Sequence, residues 1–296
     1  MSPGNTAMTT TSLPPAFSRP SRPLLTIRPP GRWARLSLRE VWLYRDLLYT
    51  FAQRDVKVRY KQTALGVIWV ILQPLLAAAI FAFVFGRIAN MSSERVPYLV
   101  FSYAGLLAWN AFNGTLTRAS ASVVDNARLV SKVYFPRLML PLSTLGTTLV
   151  DFAVASVLLV LMLAWYRINP GWPVLLLPFW LAVLLAGAIG LGLWTSALMV
   201  RYRDMQYALP PFLQLMLYAS PVAYSASYVE HLSAKFRIIY FLNPLSSLIE
   251  GFRWSVLGTG AMHWSWVGYS VAITFVVLFV GLFEFKRMER QFADVI

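Results

Sequence analysis

The sequence predicts an all-α, polytopic membrane protein, and three observations lead there. The first is composition: of 296 residues, 58% are hydrophobic and 13% charged, with a mean hydropathy of +0.59. Soluble domains carry roughly 25% charged residues, so this chain lacks the polar surface that water demands. The second is a set of six apolar segments, each close to the ~20 residues that a helix needs to cross hydrocarbon. The third is the placement of cations. With both termini on the cytoplasmic side, 20 of the 26 Lys and Arg residues fall in inner segments. The net charge of +14 then reflects loops facing anionic headgroups and not a nucleic-acid surface.

In chain order, residues 1–35 are rich in Pro, Ser, Thr and Arg and contain no apolar run. They read as a disordered cytoplasmic tail without a secretory signal. Residues 36–62 read as an amphipathic interface helix. At 100° per residue, Leu38, Val41, Trp42, Leu48, Tyr49, Ala52, Val56 and Tyr60 share one face. Arg39, Asp46, Thr50, Gln53, Arg54, Lys57 and Lys61 share the other, with Arg45 and Arg59 at the apolar edge, where long stems can snorkel. Such a helix lies in the membrane interface and turns its polar face to the cytoplasm. A simple positive-inside anchor explains the cations, but not a pattern sustained over about seven turns.

Residues 63–290 hold the membrane part. The expected spans are 65–86, 97–116, 139–165, 172–199, 207–225 and 265–285. Gly66 marks the turn into the first span, and Pro74 is expected to bend it. Pro210, Pro211 and Pro221 interrupt the fifth. The stretch 236–258 is long enough for a seventh span, but it carries Arg237, Glu250 and Arg253. Asn243-Pro244 at its centre is a helix-start signal, with Asn as N-cap and Pro in the first helical position. A seventh span would also put the basic C-terminus outside. The stretch therefore reads as two short re-entrant or interfacial helices on the outer side.

Several chemistries are excluded. The chain has no cysteine, hence no disulfides and no thiol-based metal or redox site. His231 and His263 lack ligand spacing to other metal-binding residues, so no metal site is expected. No nucleophile–His–acid arrangement is visible, and no G-x-x-x-x-G-K-[ST] phosphate loop occurs. Asp151 is a carboxylate inside the third span, where an ionisable group is expensive and marks function by default. It has two readings: a proton relay or contact to substrate hydroxyls, and an interhelical hydrogen bond involving Thr147, Thr148 or Ser156. No second buried acid completes a relay, which favours the hydrogen bond. Glu250 and Arg253 are i,i+3 neighbours able to neutralise each other. Trp42, Trp165, Trp172, Trp264 and Trp266 fit an interfacial aromatic belt. Trp69, Phe81, Tyr103, Trp109, Phe112, Trp194 and Tyr218 lie at mid-span heights, where rings face lipid, neighbouring helices or a pathway. In the loop at 118–136, "SVVDNARLVSKV" has helical spacing. Val123, Val124, Ala127 and Val130 lie on one side, with Asp125, Arg128 and Lys132 exposed.

Four stretches carry a family resemblance: "RDVKVRYKQTALGVIWVILQP" at the first span, "SKVYFPRLMLPLS" at 131–143, "RYRDM" at 201–205 and "LNPLSSLIEGFRWSVLG" at 242–258. In order and spacing, over about residues 38–290, the chain resembles the permease subunit of type-2 ABC exporters for O-antigen, capsule and teichoic acid polymers. The resemblance implies a half-transporter working as a homodimer, with two copies of a separate ATPase that carry the ATP and Mg. It implies that Arg54, Lys57 and Lys61 on the interface helix, and Asp125, Arg128 and Lys132 on a coupling helix, face that ATPase. It implies that the Asn243, Pro244, Glu250 and Arg253 region shapes the outer exit. A permease for a small lipophilic solute is the alternative within the class. An enzyme acting on a lipid-linked sugar would need an acid cluster or an acid–His pair near one interface. A secondary transporter would show inverted repeats, and the sequence holds neither.

Overall fold

Every regular element among the described residues is helical. Nearly continuous apolar sequence requires this, because in hydrocarbon a helix satisfies its own backbone groups. A computed structural model describes residues 42–61, 66–225, 228–229, 233–260, 262–289 and 292. The expectations for residues 1–35, for the N-terminal end of the interface helix and for His231 lie outside these. The elements are α1 (Arg45–Lys61), α2 (Gly66–Phe81) running on as a π-helix (Ala82–Ile88), α3 (Tyr98–Asp125) and α4 (Ala127–Lys132). They continue with α5 (Met139–Trp165), a 3-10 turn (Trp172–Leu176) opening α6 (Leu177–Arg201), and α7 (Met205–Ala219). Last come α8 (Ala234–Leu242), α9 (Pro244–Leu257) and α10 (Trp264–Met288).

Among the described residues, four stretches are long and apolar enough to cross a membrane: Gly66–Ile88, Met139–Trp165, Trp172–Arg201 and Trp264–Met288. The two remaining expected spans differ for identifiable reasons. The segment at 97–116 is the first part of α3, a 28-residue helix that carries Asn110, Asn113, Thr115, Thr117 and Arg118 along its length. Helices α5, α6, α2 and α9 pack around it. Protein covers this helix, so it need not be uniformly apolar. The segment at 207–225 contains α7, which has 15 residues and is therefore about 22 Å long, short of the ~30 Å hydrocarbon core. The interruption expected at Pro210 and Pro211 does not occur there. The helix runs through both and stops at Ala219, before Pro221.

The helices approach closely where their contact residues are small, the packing mode of helices in lipid. A side chain added at Gly190 would meet the Leu278 Cα at 2.6 Å, and one at Gly192 would meet the Ala119 Cβ at 2.7 Å. Hydroxyls add short cross-links. Thr115 and Thr148 join α3 to α5 at 3.0 Å, and Ser120 and Thr195 join α3 to α6.

The 236–258 stretch folds as two helices meeting at Asn243. The Asn243 Oδ1 accepts the Leu245 N–H at 3.1 Å, Pro244 opens α9, and Gly258 ends it in the left-handed conformation at φ 67°. Asn243 Nδ2 also donates to Ser220 Oγ at 3.0 Å, fastening the cap to the end of α7. Asn243→Ala is expected to cost about 1 kcal/mol. The measurement is thermal unfolding of the detergent-purified protein. An Asn243→Ala profile matching wild type would show that the cap contributes nothing.

Helix α1 lies along α5. Phe51 meets Phe135 edge-on at 5.6 Å, Ala52 faces Gly146, and Ser143 Oγ donates to Asp55 at 3.1 Å. The packed stripe is thus Tyr44, Leu47, Leu48 and Phe51. Trp42 and Tyr49, which the helical pattern grouped with the apolar face, are 71% and 66% exposed. This helix has an exposed apolar side as well as a protein-facing one, and periodicity alone merges them.

Candidate functional site

The C-terminal end of α1, the C-terminal half of α3 and the middle of α5 converge on one carboxylate. Asp151 lies about 18 Å along α5 from Met139. Its Oδ1 accepts the Arg59 Nε at 3.0 Å and the Tyr60 hydroxyl at 2.5 Å. Its Oδ2 accepts an Arg118 guanidinium N–H at 3.1 Å. The second terminal nitrogen of Arg118 donates to Thr148 Oγ1 at 2.8 Å. Arg118 Nε is buried without a hydrogen-bond partner among the described residues. Gly114, one turn earlier, leaves room for the guanidinium, since a Cβ there would meet it at 2.8 Å. Burial, with the adjoining carboxylate, pushes the Tyr60 phenol up to about 12, so Tyr60 stays protonated and serves as a donor at any physiological pH.

These groups border a cavity of about 170 Å³. Arg59, Gln73, Asn110, Asn113, Arg118 and Asp151 give it polar walls, while Val70, Leu107 and Phe152 give it an apolar side. Pro74 of α2 also borders it. The expected interhelical hydrogen bond from Asp151 is made to the Tyr60 hydroxyl and not to Thr147, Thr148 or Ser156, and ion pairs to two arginines accompany it. The helical pattern puts Arg59 at the edge of the interface helix, and span length puts Arg118 in the loop after the second span. A signal for Arg118 was present: Asn110, Asn113, Gly114 and Arg118 recur at i,i+3 and i,i+4 spacing, which puts them along one side of a helix.

The other expected site residues separate into groups. Lys57, Lys61, Asp125, Arg128 and Lys132 are exposed. Arg54 is instead engaged: its Nε donates to Asp55 at 3.0 Å, and it lies over the Phe51 ring at 5.1 Å. The "SVVDNARLVSKV" segment is not one helix. α3 continues to Asp125, Asn126 interrupts it, and α4 resumes. Val123 and Val130 are buried while Val124 is 39% exposed.

Among the mid-span aromatics, Tyr103, Trp109 and Phe112 do not line open space in this chain. They are core residues at 0%, 3% and 3% exposure, and Tyr103 donates its hydroxyl to the Ala155 carbonyl at 2.9 Å. α3 is the central helix, so even its aromatic positions point into protein. Phe81 packs edge-on with Phe85, whereas Trp69, Trp194 and Tyr218 are exposed. On the α9 side, the Arg253 guanidinium is 3% exposed and lies 3.9 Å from the Phe101 ring centre. It donates to the carbonyls of Pro221 and Tyr224, which binds α9 to the loop after α7. Glu250, one turn earlier on α9, is half-buried.

Comparison with known proteins places this architecture. Residues 46–257, from the start of α1 to the end of α9, match the family described as ABC-2 type transporter. The chain is 30% identical over 216 residues to the O-antigen export system permease protein RfbA of Myxococcus xanthus, covering 73% of this chain and 82% of that protein. It is 28% identical over 256 residues to the protein of the same name from Klebsiella pneumoniae, covering 85% and 95%. It is 25% identical over 245 residues to the polysialic acid transport protein KpsM of Escherichia coli, covering 80% and 91%. With a match across most of its length and, among the described residues, four helices able to cross a membrane, this chain is a multi-pass membrane protein of the ABC-2 type transporter family.

Proposed function

We propose that the chain is the membrane-spanning half of an ATP-driven exporter that moves a polysaccharide, of the lipid-linked O-antigen kind, across the bacterial inner membrane. Two copies form the pathway, and two copies of a separate ATPase bind and hydrolyse ATP with Mg. The reading has six spans, with α3 and α7 completing the four apolar ones, both termini in the cytoplasm, and α8 and α9 as re-entrant helices at the outer face. The observation that carries it is the similarity to the Klebsiella permease over 95% of that protein's length. Deleting the gene tests it: surface glycan is expected to disappear while lipid-linked glycan accumulates inside, and wild-type chain is expected to restore export. Normal surface glycan in the deletion strain would end this reading. Similarity to polysialic acid transport proteins supports a capsule polymer as the second choice, and the chemistry of the accumulated glycan separates the two.

The exposed charges of α1 and of the α3–α4 junction are the surface offered to the ATPase. Lys57 is exposed, whereas Arg54 is held by Asp55 and Phe51, so Lys57 is the cleaner probe. The double substitution Lys57→Glu, Arg128→Glu is expected to reduce co-purification of the ATPase by roughly tenfold, as reversed charges across an interface do. Membrane insertion should remain normal. If insertion is lost or inverted instead, these cations serve as topology signals.

A further inference from the structure

The geometry points to the cavity beside Asp151 as a binding site for the phosphoryl headgroup of a membrane lipid. Its lining side chains bring two guanidiniums and one carboxylate, an excess of positive charge inside a low-dielectric helix bundle. Such an excess favours an anion. Arg118 is oriented by its bonds to Asp151 and Thr148, its side chain keeps 26% exposure, and each terminal nitrogen has a second N–H to offer. Guanidinium N–H groups in a fixed plane match phosphoryl oxygens better than any other side chain does. Gln73, Asn110 and Asn113 add amide donors to the same walls. A neutral sugar would satisfy the amides but leave the charge uncompensated. A metal cation would be repelled by both arginines. The apolar side formed by Val70, Leu107 and Phe152 suits the first carbons of a lipid chain, which a free phosphate would leave uncovered. Asp151 has the complementary role: it offsets part of their charge and holds both arginines in place. The role of this lipid as cargo rests on the export reading above; the binding does not.

The test uses the full chain in nanodiscs of zwitterionic phosphatidylcholine, titrated with farnesyl diphosphate, phosphatidylglycerol, inorganic diphosphate and uncharged farnesol. Saturable binding of farnesyl diphosphate, with none of farnesol, is the expected result. Arg118→Gln is expected to weaken it roughly tenfold, the loss of one charge-assisted contact. Asn110→Asp puts a carboxylate into the cavity wall, and it is expected to weaken binding at least as much. Asn110 is exposed and sits outside the Asp151 ion pairs, so this second variant keeps the test decisive if Arg118→Gln fails to fold. Farnesyl diphosphate affinity unchanged in Asn110→Asp overturns the site. Inorganic diphosphate binding as tightly as the lipid overturns the lipid assignment. Phosphatidylglycerol competing equally supports a general lipid-phosphate site. If binding fails but the deletion strain still loses surface glycan, the export reading stands and only this inference falls; the reverse pattern removes the export reading alone.

Discussion

Asp151→Ala is expected to lower the thermal unfolding midpoint of the purified protein by about 10 °C. The reason is electrostatic. The carboxylate is shared by Arg59 at 3.0 Å and Arg118 at 3.1 Å, and its side chain is only 15% exposed. Removing one member of a buried ion pair costs about 3–5 kcal/mol, because the partner charge is left in a poor solvent. Here Arg59 is 42% exposed and can turn toward water, so the low end, about 3 kcal/mol, is the better figure. At about 2–4 °C per kcal/mol for a chain of this size, the shift is near 10 °C. Asp151→Asn keeps an acceptor for the Tyr60 hydroxyl and should fall between. The double substitution Asp151→Leu, Arg118→Met removes the pair together and is expected to recover much of the loss, since well-packed apolar replacements of buried pairs are often neutral. The double-mutant cycle reads the coupling directly. Losses that simply add would mean the two side chains act independently.

Gly281→Leu should prevent α6 and α10 from docking at all. A Cβ at Gly281 would fall on the backbone carbonyl of Gly190, and one at Gly190 would lie 2.6 Å from the Leu278 Cα. Both obstructions are backbone, so no rotamer relieves them, and the helices must separate. The expected result is loss of the monodisperse peak in detergent size-exclusion chromatography, with no accumulation of folded protein in membranes. Gly268→Ala in the same helix is the matched control. Among the described residues, none beyond its own helical neighbours comes within 4 Å of a Cβ there, and alanine is the better helix former by up to ~1 kcal/mol. It should therefore be neutral or slightly stabilising. A Gly281→Leu protein that folds normally would mean that α6 and α10 are not held by this contact.

Much of the helix plan was legible in one dimension. The Met139–Trp165 span, the Asn243 break and the amphipathic run into Lys61 each rest on local signals: an apolar stretch of membrane length, an N-cap followed by proline, a 3.6-residue period. The length of α3 was not legible. Its C-terminal turns carry Arg118, Ser120 and Ser122, which read as loop chemistry, but the helix continues because α5 and α6 cover it. The aromatic residues show the same limit. Tyr103 and Trp69 look alike in sequence, yet one is fully buried and the other is 59% exposed.

By itself, then, the sequence determined that this is an all-helical membrane protein, where most of its helices begin and end, and to which family it is similar. Only the tertiary structure decided which faces meet protein, and so brought Arg59, Arg118 and Asp151 together from three helices around one cavity. The physical reason lies in the solvent. In water, a polar stripe and an apolar stripe distinguish outside from inside. In a bilayer, lipid and neighbouring helices are both apolar, so burial leaves little periodic trace. What selects the contacts is shape, small residues and a few charges, and those pair across long sequence separations that no local pattern records.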